Sequence, residues 1–220
     1  MQQALQYSAY AIGLWLNLLV ISALVRGTYR QYPFVFVYSV TLLLSTVVEM
    51  GVQLATVSVQ KDYRYYYWID EVILDVLVFC IVIAFIDEAA RYSKHKTIER
   101  HWLVLAAGVF CAVSFAIHRS AHLNRQMTLI SRDLNICAVV LDLILWSLLL
   151  TARHPNRRLL LLSGGLGLQL TGAIMGEQLR HFSHSLYLTG TLLELTTGFL
   201  GLYVWWRALR TAPAPKTATA

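Results

Sequence analysis

Seven apolar stretches of about twenty residues each, joined by connections too short to hold a domain, constrain this chain more than any other feature. A bilayer's hydrocarbon core is about 30 Å thick and takes roughly 20 mostly apolar residues in helix. The stretches fall at Tyr10–Val25, Pro33–Val57, Trp68–Tyr92, His101–His118, Leu129–Thr151, Leu159–Leu179 and Leu186–Leu209. Lipid offers no partner to bare backbone N–H and C=O groups, so such stretches cross as helices. The pattern predicts one all-α domain over residues 1–210, a polytopic bundle of seven transmembrane helices in contact with the lipid bilayer. Residues 211–220, with two Pro and mostly small side chains, read as a short disordered tail. Composition agrees: 57% of the chain is hydrophobic and 14% charged, against about 25% charged in soluble domains. The same apolar content excludes an intrinsically disordered chain. Met1–Tyr10 holds no Lys or Arg, so the first stretch lacks the basic flank of a cleaved signal peptide.

A net charge of +6 invites a nucleic-acid reading, but the basic residues lie in short clusters between apolar stretches. One side collects Arg26, Arg30, Arg91, Lys94, Lys96, Arg100, Arg153, Arg157, Arg158, Arg207, Arg210 and Lys216. The other collects Lys61, Arg64, Arg119, Arg125, Arg132 and Arg180. This asymmetry is the positive-inside pattern, and it puts the N-terminus outside and the C-terminus in the cytoplasm. Tyr63, Tyr65, Tyr66, Tyr67 and Trp68 then form an aromatic belt at the outer edge, and Trp205 and Trp206 one at the inner edge. The basic inner loops, Arg91–Arg100 above all, suit anionic lipid head groups or a membrane or cytoplasmic protein partner. Asp87 and Arg91 read as a solvated helix end there. No nucleic acid is expected as a partner.

Ionisable groups inside a bilayer are costly and face the bundle interior. Tyr38, Ser45, Glu49 and Gln53 form one stripe of the second stretch, with Glu49 in the outer half. Glu71 and Asp75 are i,i+4 neighbours beneath the outer surface on the third. Arg132, Asn135, Asp142 and Trp146 share a face of the fifth. Gly190, Glu194, Gly198 and Gly201 share a face of the seventh, which puts Glu194 on a close-packing side. Gly172 and Gly176 of the sixth form a G-x-x-x-G. Glu49, Glu71, Asp75, Glu177 and Glu194 outnumber Arg132 in the outer half. The expectation is an outward-facing acidic polar cavity lined by Glu49, Glu71, Asp75, Arg132, Asn135 and Glu194, for a small ligand or cation. A simpler alternative is that these groups bond one another and fix helix register.

His118 and His122 stand at i,i+4, and Glu177 and His181 also at i,i+4, on the same side of the membrane. Imidazole and carboxylate at this spacing suit zinc, so a metal-dependent hydrolase using His118, His122, Glu177 and His181 is the second functional reading. A structural subunit of a membrane complex is the third. Retinal is not expected, because the seventh stretch has no Lys for a Schiff base. Haem is not expected either, because no two His lie at mid-membrane depth. No catalytic residue can be named, and the chain leans away from an enzyme. Cys80, Cys111 and Cys137 sit within apolar runs as core thiols.

The strings R-Q-Y-P-F-V-F-V-Y (Arg30–Tyr38) and D-Y-R-Y-Y-Y-W-I-D-E (Asp62–Glu71) resemble a family of uncharacterised bacterial seven-helix membrane proteins. The resemblance implies a bacterial cytoplasmic (inner) membrane and brings no activity. Seven-helix zinc hydrolases of the haemolysin III and ceramidase type are similar only in length and helix number, because the second and seventh stretches lack their His ligands.

Overall fold

A computed structural model describes residues 2–53, 57–92, 123–151, 156–183 and 186–210, with short pieces of 108–118. The described residues are all helical, without strands. Six long helices are α1 (Gln2–Ala23), α2 (Pro33–Gln53), α3 (Val57–Tyr92), α4 (Leu123–Thr151), α5 (Arg157–Phe182) and α6 (Tyr187–Arg210). Among the described residues, three stretches are long and apolar enough to cross a membrane: Tyr7–Thr28, Pro33–Val52 and Arg157–Arg180. Further helical turns occur among residues 108–118. Helix α3 has 36 residues, about 54 Å at 1.5 Å per residue. It starts well before the expected Trp68, since a helix outruns its apolar stretch wherever the flanking residues keep bonding their own backbone.

The chain turns between α1 and α2 through a π-helical turn, Leu24–Thr28, closed by Tyr29 N–H donating to Leu24 O at 2.9 Å. Gly27 sits there at φ 132°, a backbone conformation that side chains disfavour. Pro33 opens α2, where its missing N–H would have no partner in any case. Asn156 caps α5, its side chain accepting from the N–H groups of Arg158 and Leu159, which satisfies two of the four unbonded donors.

The helices close into a ring in chain order, with α6 returning to α1. Helix α2 runs antiparallel to α3: Gln31 meets Glu88, Tyr32 meets Phe85 edge-on at 6.0 Å, and Ser45 meets Asp70. Helices α4, α5 and α6 alternate in the same way, through Asp142–Ser163 and then Leu162–Trp205 and Arg180–Glu194. One end of the ring therefore gathers the start of α1, the end of α2, the end of α5 and the start of α6.

The interior is polar in places where a water-soluble core would be oily, and the outside is oily. Asn17, Ser39, Ser131, Asp142 and Ser163 are almost fully buried, while Trp15, Leu44, Leu143 and Leu150 are exposed. Hydrocarbon around the bundle makes this the favourable arrangement, because polar groups then find partners only inside. Trp205 departs from the expected belt. It is fully buried, packs edge-on against Tyr38 at 5.8 Å, and its indole N–H donates to Leu162 O at 2.7 Å. Trp206 does lie at the helix end, with the Arg210 guanidinium 4.8 Å over its ring.

Glycines bring α5 and α6 together. A Cβ on Gly165 would stand 2.5 Å from Trp205 Cδ1 and 3.0 Å from Gly201 O. One on Gly176 would stand 2.7 Å from Gly190 O. Small residues let backbones approach in this way. Gly198 differs, since nothing lies within 4 Å of its Cβ position. Gly165→Ala should destabilise the purified protein by about 1–3 kcal/mol through overpacking. Gly198→Ala should be neutral or slightly stabilising. Thermal unfolding in one detergent checks both, and equal effects would contradict this packing.

Candidate ligand-binding site

A cavity of about 670 Å³ opens between α1, α2 and α6, at the end of the ring where α1 and α6 begin. Tyr10, Gly13 and Asn17 come from α1, and Leu42, Thr46 and Glu49 from α2. Thr191, Glu194, Gly198 and Phe199 form the α6 wall. Gly13 and Gly198 keep the wall thin. A Cβ on Gly13 would only touch the Phe199 ring at 3.5 Å.

Charge on this wall is partly compensated. Arg180 of α5 donates to Glu194 Oε2, and its stem lies against Gly190, so the glycine contact between the helices positions this ion pair. Glu49 has no cation within ion-pair distance among the described residues. Asp70 lies within electrostatic range of Glu49 and accepts a hydrogen bond from Ser45 Oγ at 2.7 Å. At the foot of the cavity Asn17, 2% exposed, donates from Nδ2 to Ser39 O at 2.9 Å. Its Oδ1 is buried and has no hydrogen-bond partner among the described residues.

Of the six residues expected to form one acidic site, only Glu49 and Glu194 line this cavity. Glu71, Asp75 and Asn135 lie together between α3 and α4, where Ser131 Oγ donates to Asp75 Oδ2 at 2.5 Å and Asn135 is within hydrogen-bonding reach of Asp75. Glu71 is within electrostatic range of Asp75, Glu177 and Glu194, and its Oε2 is buried without a partner among the described residues. Arg132 is exposed, and the cation that meets Glu194 is Arg180. A helix turns about 100° per residue, so Arg132 points to one side of the face that Ser131 and Asn135 present to α3, about 80° from its middle.

The expected metal ligands are only partly visible. His122 and the His181 side chain lie outside the described residues. His118 donates from Nδ1 to Ser114 O at 2.9 Å and lies 3.7 Å from Asp133, with Ser114 Oγ donating to the same carboxylate at 2.8 Å. Among the described residues no three His, Cys, Asp or Glu side chains are grouped to hold a metal ion. Cys80 and Cys137 are half-buried. Cys111, the side chains of Gln53 and of the tyrosine-rich belt, the basic loop after α3 and the tail lie outside the described residues.

Sequence reasoning missed the α1 wall and two serines. Asn17 is the one amide within the first apolar stretch, which was the available signal. Ser131 and Ser163 each donate to a buried carboxylate, and nothing in the sequence sets such serines apart from others. The chain matches no family model, no curated protein and no solved structure, so its site is argued from geometry alone.

Away from the cavity, Ser163 Oγ donates to Asp142 Oδ1 at 2.8 Å, with both residues buried. Ser163→Ala should cost about 1–3 kcal/mol, because it strips a buried acceptor of its donor. Adding Asp142→Leu should recover most of that loss, since an apolar pair leaves nothing unpaired. Unfolding midpoints of the two single variants and the double variant read the coupling.

Proposed function

We propose that this chain is a multi-pass protein of a bacterial cytoplasmic membrane that binds a small ligand in the cavity between α1, α2 and α6. Binding would be passed to a partner at the opposite, basic end. The observation that carries this reading is the cavity itself, a volume suited to a small molecule with Glu49 on its wall. Most of the lining is apolar, and a few polar groups converge on it, as in sites that orient one ligand.

Seven crossings are supported by chain direction. Asp75 of α3 meets both Ser131 and Asn135 of α4, and Glu71, one turn earlier, also meets Ser131. Helices α3 and α4 thus run parallel, which supports a further crossing between them. The Lys and Arg asymmetry supports an outside N-terminus, which makes the cavity face outward. Impermeant maleimide on intact cells tests this in a cysteine-free background. Gln3→Cys should label, and Thr217→Cys should label only after lysis; the reverse pattern would overturn the orientation.

Filling the cavity tests the binding reading. Gly198→Leu adds a side chain where a Cβ meets nothing, on the cavity wall. In a thermal-shift screen of small molecules, binders should stabilise the wild type by about 2.7 kcal/mol at a hundredfold excess over Kd. The same compounds should leave Gly198→Leu unshifted. No binder at all, or binders that stabilise both proteins equally, would sink the proposal.

A further inference from the structure

Two hydroxyls and one amide on the cavity wall have their protons committed within the protein, and this bears on the chemistry of an occupant. Thr46 Oγ1 donates to Leu42 O at 2.7 Å, and Thr191 Oγ1 donates to Tyr187 O at 3.0 Å. Both hydroxyls thereby spend their hydrogen on their own helix and keep only the capacity to accept. Asn17 commits Nδ2 to Ser39 O. The carbonyl of Ser39 can only accept, so this bond fixes which end of the amide is oxygen. Oδ1 is left as a buried acceptor with no partner among the described residues. Leaving such a group unpaired is costly, and an occupant that donates to it recovers the cost. Glu194 is already paired with Arg180, whereas Glu49 has no cation within ion-pair distance among the described residues and lies within electrostatic range of Asp70.

We infer that the cavity takes a primary ammonium ligand with an apolar body and a second hydrogen-bond donor at its far end. This rests on the binding reading above and names its substrate class. The ammonium meets Glu49, and the second donor meets Asn17 Oδ1. Asn17 is level with Ser39, and Glu49 is ten residues further along α2, about 15 Å at 1.5 Å per residue. With the reach of both side chains removed, the two acceptors suit an elongated molecule. Between them the wall is apolar, through Gly13, Leu42, Phe199 and Leu202, which disfavours a charge in the middle. An anion is repelled by Glu49 and Asp70. A lipid chain or a neutral hydrocarbon leaves both acceptors unpaired, and a quaternary ammonium has no N–H to offer. A bare metal ion leaves the apolar wall unused.

Purified full-length protein and 8-aminooctan-1-ol provide the test, with octane-1,8-diol and the N-trimethyl derivative as comparators in equilibrium dialysis. The amino alcohol should bind the wild type about tenfold or more tightly than either comparator, as expected when one partner of a desolvated charged hydrogen bond is removed. Glu49→Gln should abolish that preference, Glu49→Asp should restore part of it, and Gly198→Leu should abolish binding of all three. Equal binding of the diol, a preference that survives Glu49→Gln, or a phospholipid retained in the cavity by mass spectrometry would overturn the inference. If the amine fails while other molecules bind and are lost in Gly198→Leu, this inference falls and the binding cavity stands. If nothing binds, both fall.

Discussion

The contact between α5 and α6 through bare glycine surfaces is the constraint on which the rest of the structure depends. Gly165 against Gly201 and Gly176 against Gly190 bring the two backbones to a distance that no side chain tolerates. Lipid gives no hydrophobic drive to pair helices, so close packing and interhelical hydrogen bonds must supply it. Trp205 closes the contact at one end by donating to Leu162 O, and Arg180 and Glu194 close it at the other. The ion pair also compensates one of the two glutamates on the cavity wall, which leaves Glu49 as the one without a cation partner among the described residues.

Polar residues divide into two kinds on this frame. Asp142 with Ser163 and Asp75 with Ser131 are satisfied pairs that tie neighbouring helices together. They behave as interhelical fasteners, the simpler role weighed for the intramembrane carboxylates. Glu49 and Asn17 are different: both line the cavity, Glu49 without a cation in ion-pair distance and Asn17 with a buried Oδ1 that has no hydrogen-bond partner among the described residues. Function is argued from the second kind, since a fastener has no capacity left for a ligand.

The helical pattern was legible because apolar length reports directly on what can cross a bilayer. The expected Pro33, Tyr92 and Thr151 boundaries coincide with helix ends, while α1 and α3 begin earlier than their apolar runs. Gly172 and Gly176 marked the α5 face that α6 approaches. Periodicity placed Glu194 on that packing face, where it lies. It did not separate Glu49 from Glu71 and Asp75, because acidic stripes on two helices look alike until the helices are rotated against their neighbours. Trp205 read as an interfacial anchor for the same reason: aromatic residues near a span's end suit either the head-group region or a core contact that satisfies the indole N–H.

By itself the sequence determined an all-helical chain with apolar exteriors, carboxylates turned inward and small-residue faces for close packing. These follow from local terms, namely segment length, helical period and the cost of exposing polar groups to hydrocarbon. Only the tertiary structure decided that Arg180 and not Arg132 meets Glu194, that Trp205 is core, and that Asn17 and Glu49 share a cavity. Each depends on the rotation and level of one helix against another. That arrangement is set by the sum of many weak contacts across the bundle, and no single stretch of residues encodes it.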